Sequence, residues 1–143
     1  MFEEDFGGVL MASTVLKHIS SVFLGGFFLM VGIQHFTDPV WFEPIVPSIL
    51  GSPRFWVYAS GVFEIGLGAA LIIPQTRKWG GLSLAIFLII IYWANLNMWV
   101  NDIAIGGNKL STLGHIVRGF AQLLMIGVAL WVGDWIDKRN IED

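Results

Sequence analysis

The chain has 143 residues, enough for one domain and not for two. Apolar residues make up 55% of it and charged ones only 13%, about half the charged share of a soluble globular protein, too few to cover a soluble surface. A net charge of −3 offers no basic stripe for nucleic acid, and the absence of cysteine excludes thiol–disulfide chemistry, iron–sulfur clusters and c-type haem attachment.

The N-terminus, Met1-Phe2-Glu3-Glu4-Asp5, is acidic where a signal peptide is basic, so the first apolar run reads as a retained helix. A bilayer core of ~30 Å takes roughly 20 apolar residues in a helix. The first window that meets this runs from about Val15 to Phe36. Asp38 to Arg54 then carries four prolines and predicts an ordered, non-helical outer loop, with Trp41 and Phe42 at headgroup depth. A second window runs from Phe55 to Ile73 and is stopped by Pro74, after which Pro74–Lys78 reads as a tight turn. The third runs from Trp79 to Val100, Asn101 to Thr112 is a polar, glycine-containing connection, and the fourth runs from about Leu113 to Val132. The expected fold is all-α, a single integral membrane four-helix bundle with its proline-rich outer loop between the first and second helices.

Orientation follows the Lys/Arg count of short loops. Lys17, Arg77, Lys78, Lys138 and Arg139 fall on the side shared by the termini, against Arg54 and Lys109 on the other. This places both termini in the cytoplasm and the chain in the cell (inner) membrane.

A charge facing lipid at mid-bilayer costs about 2.5–3.5 kcal/mol, enough to cancel most of the insertion energy of the second span. Glu64 must therefore be neutral, or paired and turned inward, and Arg118 is the cation within the spans available to pair with it. At 1.5 Å per helical residue, Glu64 lies ~14 Å below the outer boundary. His35, Asn95, His115, Arg118 and Gln122 fall in the same outer half, so all four spans contribute to one layer, while His18 sits at the inner end. His115, Arg118 and Gln122 are spaced i, i+3, i+7 on one helix face, and Ser60 and Glu64 also share a face. Asn95 and Asn97 point in nearly opposite directions, so one of them faces the layer. Gly25, Gly26, Gly61, Gly66 and Gly68 are small residues of the kind that let membrane helices approach.

Each feature also has a plainer reading. Asn and Gln within a span serve as interhelical glue, His35 as an interfacial anchor, and Glu64 with Arg118 as a structural pair. No third ligand type accompanies His35 and His115, so no metal site is expected.

Gly32-Ile33-Gln34-His35-Phe36 followed by Asp38-Pro39 resembles the end of the first helix in DoxX-like membrane proteins. Gly61-Val62-Phe63-Glu64 with Leu71-Ile72-Ile73-Pro74 is similar to the second helix of that family, Asn95 with Met98 to the third, and Arg118 with Gln122 to the fourth. The resemblance implies a four-helix membrane bundle, and it implies function loosely. Founding members accompany a thiosulfate:quinone oxidoreductase, others associate with membrane oxidoreductase complexes, and distant relatives act as assembly factors.

The expected function is an accessory or quinone-facing subunit of a membrane oxidoreductase system. Its ligand site would be His35, Glu64, Asn95, His115, Arg118 and Gln122. Glu64 would accept a proton or hydrogen bond, Arg118 would hold it ionised or engage a carbonyl, and the others would orient the ligand. No intrinsic cofactor is expected beyond a bound quinone, so an electron carrier would belong to a partner subunit in the bilayer or to self-association. The alternatives are a non-catalytic assembly scaffold for another membrane protein and, behind it, a small-molecule permease.

Overall fold

The structure, a computed structural model, describes residues 2–136, with side chains from Met11 onward. Lys138 and Arg139, two of the charges behind the expected orientation, lie outside the described residues. The described chain is all-helical, built from α1 (Phe2–Thr37), α2 (Pro39–Phe42), α3 (Pro53–Ile72), α4 (Arg77–Val100) and α5 (Thr112–Val132), with short 3₁₀ turns at Glu43–Ile45 and Ser48–Leu50. Four segments, Met11–Thr37, Pro53–Ile72, Arg77–Val100 and Thr112–Val132, are long and apolar enough to cross a membrane, as a multi-pass membrane protein requires. Three of them match the expected windows to within two residues at either end. The first helix starts well before Val15, because apolarity marks the part that lipid requires and not where backbone hydrogen bonding stops.

The loop expected to be non-helical contains α2 and both 3₁₀ turns. Proline does not prevent this, because at the first position of a helix its fixed φ fits and its missing N–H would have had no partner. Pro39 opens α2 and Pro53 opens α3 in this way. The cap so formed is tied down at three points. Asn97 donates its side-chain amide to the Ile45 carbonyl at 3.0 Å, Trp56 donates its indole N–H to the Leu50 carbonyl at 2.8 Å, and Arg54 pairs with Glu43. Between α4 and α5 the chain reverses through Gly106 and Gly107, both at positive φ, and Trp41 packs directly against Gly106.

α1 and α3 run antiparallel and touch through two glycine pairs. A Cβ on Gly25 would sit 2.6 Å from the Gly68 carbonyl oxygen, and one on Gly32 would sit 2.9 Å from that of Gly61. Such contact requires both helices to lack side chains there, and without a hydrophobic drive in lipid this close packing is what holds membrane helices together. Gly26 and Gly66, expected to do the same, face open space. Leu24, Phe28, Leu71, Leu84, Leu88, Ala129 and Val132 form the packed apolar core. Most lie in the half of the helices nearer His18, Phe28 and Leu88 reach the middle, and the half nearer His35 opens around a cavity.

Candidate functional site

The cavity has a volume of about 890 Å³ and is lined by residues of α1, the cap, α3, α4 and α5. Small-molecule pockets span roughly 300–1,000 Å³, so this one takes a drug-sized ligand. Its wall is mostly aromatic and aliphatic, including Phe28, Phe42, Trp56, Phe63 and Phe87. Five of the six expected site residues line it: His35, Glu64, Asn95, Arg118 and Gln122.

Those five fall into two groups. On the α1/α3 side, His35 Nδ1 lies 2.8 Å from the Val31 carbonyl. A carbonyl only accepts, so Nδ1 carries the proton and Nε2 is left for another partner. The ring stacks on Phe42, with centroids 3.8 Å apart. Glu64 Oε2 is 3.1 Å from the same Nδ1, but the N–H points to Val31 instead. Oε2 is therefore buried without a hydrogen-bond partner, alone in this among the side-chain atoms of the described residues. Its sister oxygen accepts a long bond from Ser60 Oγ at 3.5 Å. Glu64 itself is 3% exposed. Leaning of side chains toward the N-terminus of their own helix explains the meeting, because in antiparallel helices His35 and Glu64 lean toward each other.

On the α4/α5 side the polar groups are chained together. Gln122 donates to the Leu88 carbonyl and accepts at 2.7 Å from Asn95 Nδ2. Arg118 donates to Asn95 Oδ1 and, at 3.2 Å, to Met98 Sδ. Amides suit this role, since each offers a donor and an acceptor and passes the chain on. Arg118 keeps further N–H donors on its guanidinium.

Two expectations need correction. Glu64 and Arg118 form no ion pair: the arginine turns to Asn95 and Met98 on its own side of the cavity. His115 does not line this cavity. It stacks on Trp99, with centroids 5.4 Å apart and planes at 3°, beside a smaller pocket of about 400 Å³ between α4 and α5. Gln122 borders both spaces, so the shared helix face of His115, Arg118 and Gln122 straddles two of them. Of the two asparagines, Asn95 faces the layer and Asn97 holds the cap.

Sequence reasoning also missed a second polar cluster near His18. Lys17 pairs with Asp134, and its ammonium lies 5.7 Å from the Trp131 ring centroid. Arg77 donates to the Leu71 and Ile72 carbonyls at 3.0 Å each and to His18 Nδ1 at 2.8 Å. It thereby satisfies carbonyls that the end of α3 leaves without helical partners. Ser21 Oγ donates to the His18 carbonyl at 2.9 Å. The signal was present in Lys17 just inside the first span and Arg77 just past Pro74, both counted only as orientation charges, and in His18, placed alone at the inner end.

No curated protein and no solved structure matches the chain. A family model described as a domain of unknown function (DUF8561) matches residues 24–133, from the Gly25 contact through the end of α5, and the chain belongs to that family.

Proposed function

We propose that this protein binds an amphipathic ring compound of the quinone class inside the membrane, as an accessory or quinone-facing subunit of a membrane oxidoreductase system. The carrying observation is Glu64 Oε2, buried and without a hydrogen-bond partner beside a largely apolar cavity of about 890 Å³. A buried polar atom left unsatisfied costs ~1–3 kcal/mol, and a ligand hydroxyl that supplied its partner would recover that loss on binding. The α1/α3 side then accepts from the ligand, and Arg118 and Asn95 on the facing side donate to it. A hydroquinone carries both kinds of group on opposite edges of one ring, with the aromatic walls stacking on its faces. The resemblance to DoxX-like proteins supplies the redox context, and the electron carrier would belong to a partner subunit. The helices are proposed to form a four-helix bundle in the cell (inner) membrane, with both termini cytoplasmic.

The test is thermal melting of the purified protein in mild detergent with a short-tailed benzohydroquinone, alongside mass spectrometry of what co-purifies. Binding should raise the melting temperature of the wild type and not of Glu64→Gln. Absence of any shift, with one membrane protein co-purifying and no small molecule, would favour the assembly-scaffold reading. For orientation, Ser48→Cys should react with an impermeant maleimide from outside intact cells and Gln75→Cys should not. Both side chains are exposed, and the chain has no cysteine to interfere.

A further inference from the structure

The way into the cavity bears on what its ligand must be. At the His35 end the cap covers most of the aqueous approach, with Phe42, Ile45, Pro47 and Leu50 lining the cavity roof and Trp41 at its edge 42% exposed. At the His18 end the packed core closes it. The α1–α3 side is sealed by the two glycine pairs.

The seam between α3 and α4 is different. These helices meet closely at Gly80, where an added Cβ would come within 3.0 Å of Ala70, close to the turn that joins them. Farther along, the residues flanking the seam both line the cavity and face outward. Phe63 on α3 is 58% exposed, and Ile86, Ile90 and Trp93 on α4 are 50%, 64% and 52% exposed. A side chain that borders an interior space and the outer surface together marks a mouth. The Phe63 and Phe87 rings stand across this mouth, with centroids 5.9 Å apart. Within a membrane-spanning helix such a mouth opens onto acyl chains, not water. The smaller α4–α5 pocket leads to no comparable group: among the described residues its polar lining is Tyr92, His115 and Gln122.

We infer that the ligand is a tailed amphiphile that enters sideways from the bilayer through the α3–α4 seam, its polar ring seated between Glu64 and Arg118 and its hydrocarbon chain lying between Phe63 and Ile90. This rests on the proposed ligand site and adds to it a route and a second chemical requirement, the chain. Because lipid is as apolar as the seam, the chain gains little affinity from burial alone. What it gains is a fixed position, and position is therefore what the experiment should read.

A dimethoxy-methyl-benzoquinone with a ten-carbon tail ending in a diazirine, photolysed with the full protein in nanodiscs, provides that readout. Saturable labelling should concentrate on Phe63, Ile86, Ile90 and Trp93, and excess untagged quinone should compete it away at least fivefold. Ile90→Trp narrows the mouth and should cut labelling at least fivefold. Leu123→Trp, on the α4–α5 side, should leave labelling unchanged. Competable labelling spread evenly around the outer surface, or gathered at Phe120 and Leu123, overturns lateral entry through this seam while leaving the ligand site intact. If neither tailed nor tail-less compound binds in a manner dependent on Glu64 and Arg118, the ligand site itself fails.

Discussion

The chain carries buried charge at both ends of its helices, and the two ends treat it in opposite ways. Near His18, Arg77 donates to two carbonyls and an imidazole, and Lys17 meets Asp134. Among the described residues no buried side-chain nitrogen or oxygen there lacks a partner, and Leu71, Leu84 and Val132 pack tightly beside it with under 2% exposure. Near His35, Glu64 keeps a buried oxygen with no hydrogen-bond partner at the edge of the cavity. A charged side chain inside a membrane is thus not in itself a sign of a site. A buried oxygen without a hydrogen-bond partner beside a cavity is the better sign, and among the described residues it is found at the His35 end.

The sharpest way to break this contrast is Arg77→Met. If the His18 end is structural, the change strands His18 Nδ1 and two carbonyls of α3 and should cost on the order of 3 kcal/mol in detergent unfolding. The quinone-induced melting shift of whatever folds should persist. A stable Arg77→Met protein that had lost ligand binding would reverse the assignment of the two ends.

Arg118→Met should weaken ring-compound binding by about 1.5–3 kcal/mol, the range for one charge-assisted hydrogen bond, read as a ten- to hundredfold rise in Kd by titration. Glu64→Gln should abolish the ligand-induced shift yet change the stability of the protein without ligand by about 1 kcal/mol or less, because the hydrogen bond it makes is a single long one from Ser60. A loss of several kcal/mol from that change would mean Glu64 is glue after all. Smallest of all, His115→Ala should remove one ring stack, about 1 kcal/mol or less, and leave binding untouched. Lost binding in that variant would show that the α4–α5 pocket takes part.

The four apolar helices and, of the six expected site residues, the five that line the cavity were legible in the sequence, because span length and the cost of intramembrane polarity are local facts. Pairing was not. Arg118 could be matched with Glu64 on charge, but Asn95 lies on the adjacent helix with an oxygen aimed at it, and charge counting cannot see that. His115 was grouped correctly by helical spacing and misplaced by what lies beside it, since an arc of one helix face can border two spaces. Phe42 was read as an interfacial anchor. Its stacking on His35 depends on how α2 folds back over the cavity, which no periodicity in a four-residue helix reveals.

The glycine pairs of α1 and α3 also act as a gauge of length. Gly25 with Gly68 and Gly32 with Gly61 repeat at seven residues on both helices, so they fit together at one axial setting. Sliding one helix by a single residue moves it 1.5 Å and takes the glycines out of register with the carbonyls they pack on. That same setting holds Glu64 Oε2 at 3.1 Å from His35 Nδ1, a separation a one-residue slip would spoil. The vertical alignment of the acceptor side of the cavity is thus set by glycines, two of them within one turn of His35 and Glu64, that contribute no polar side chain to it.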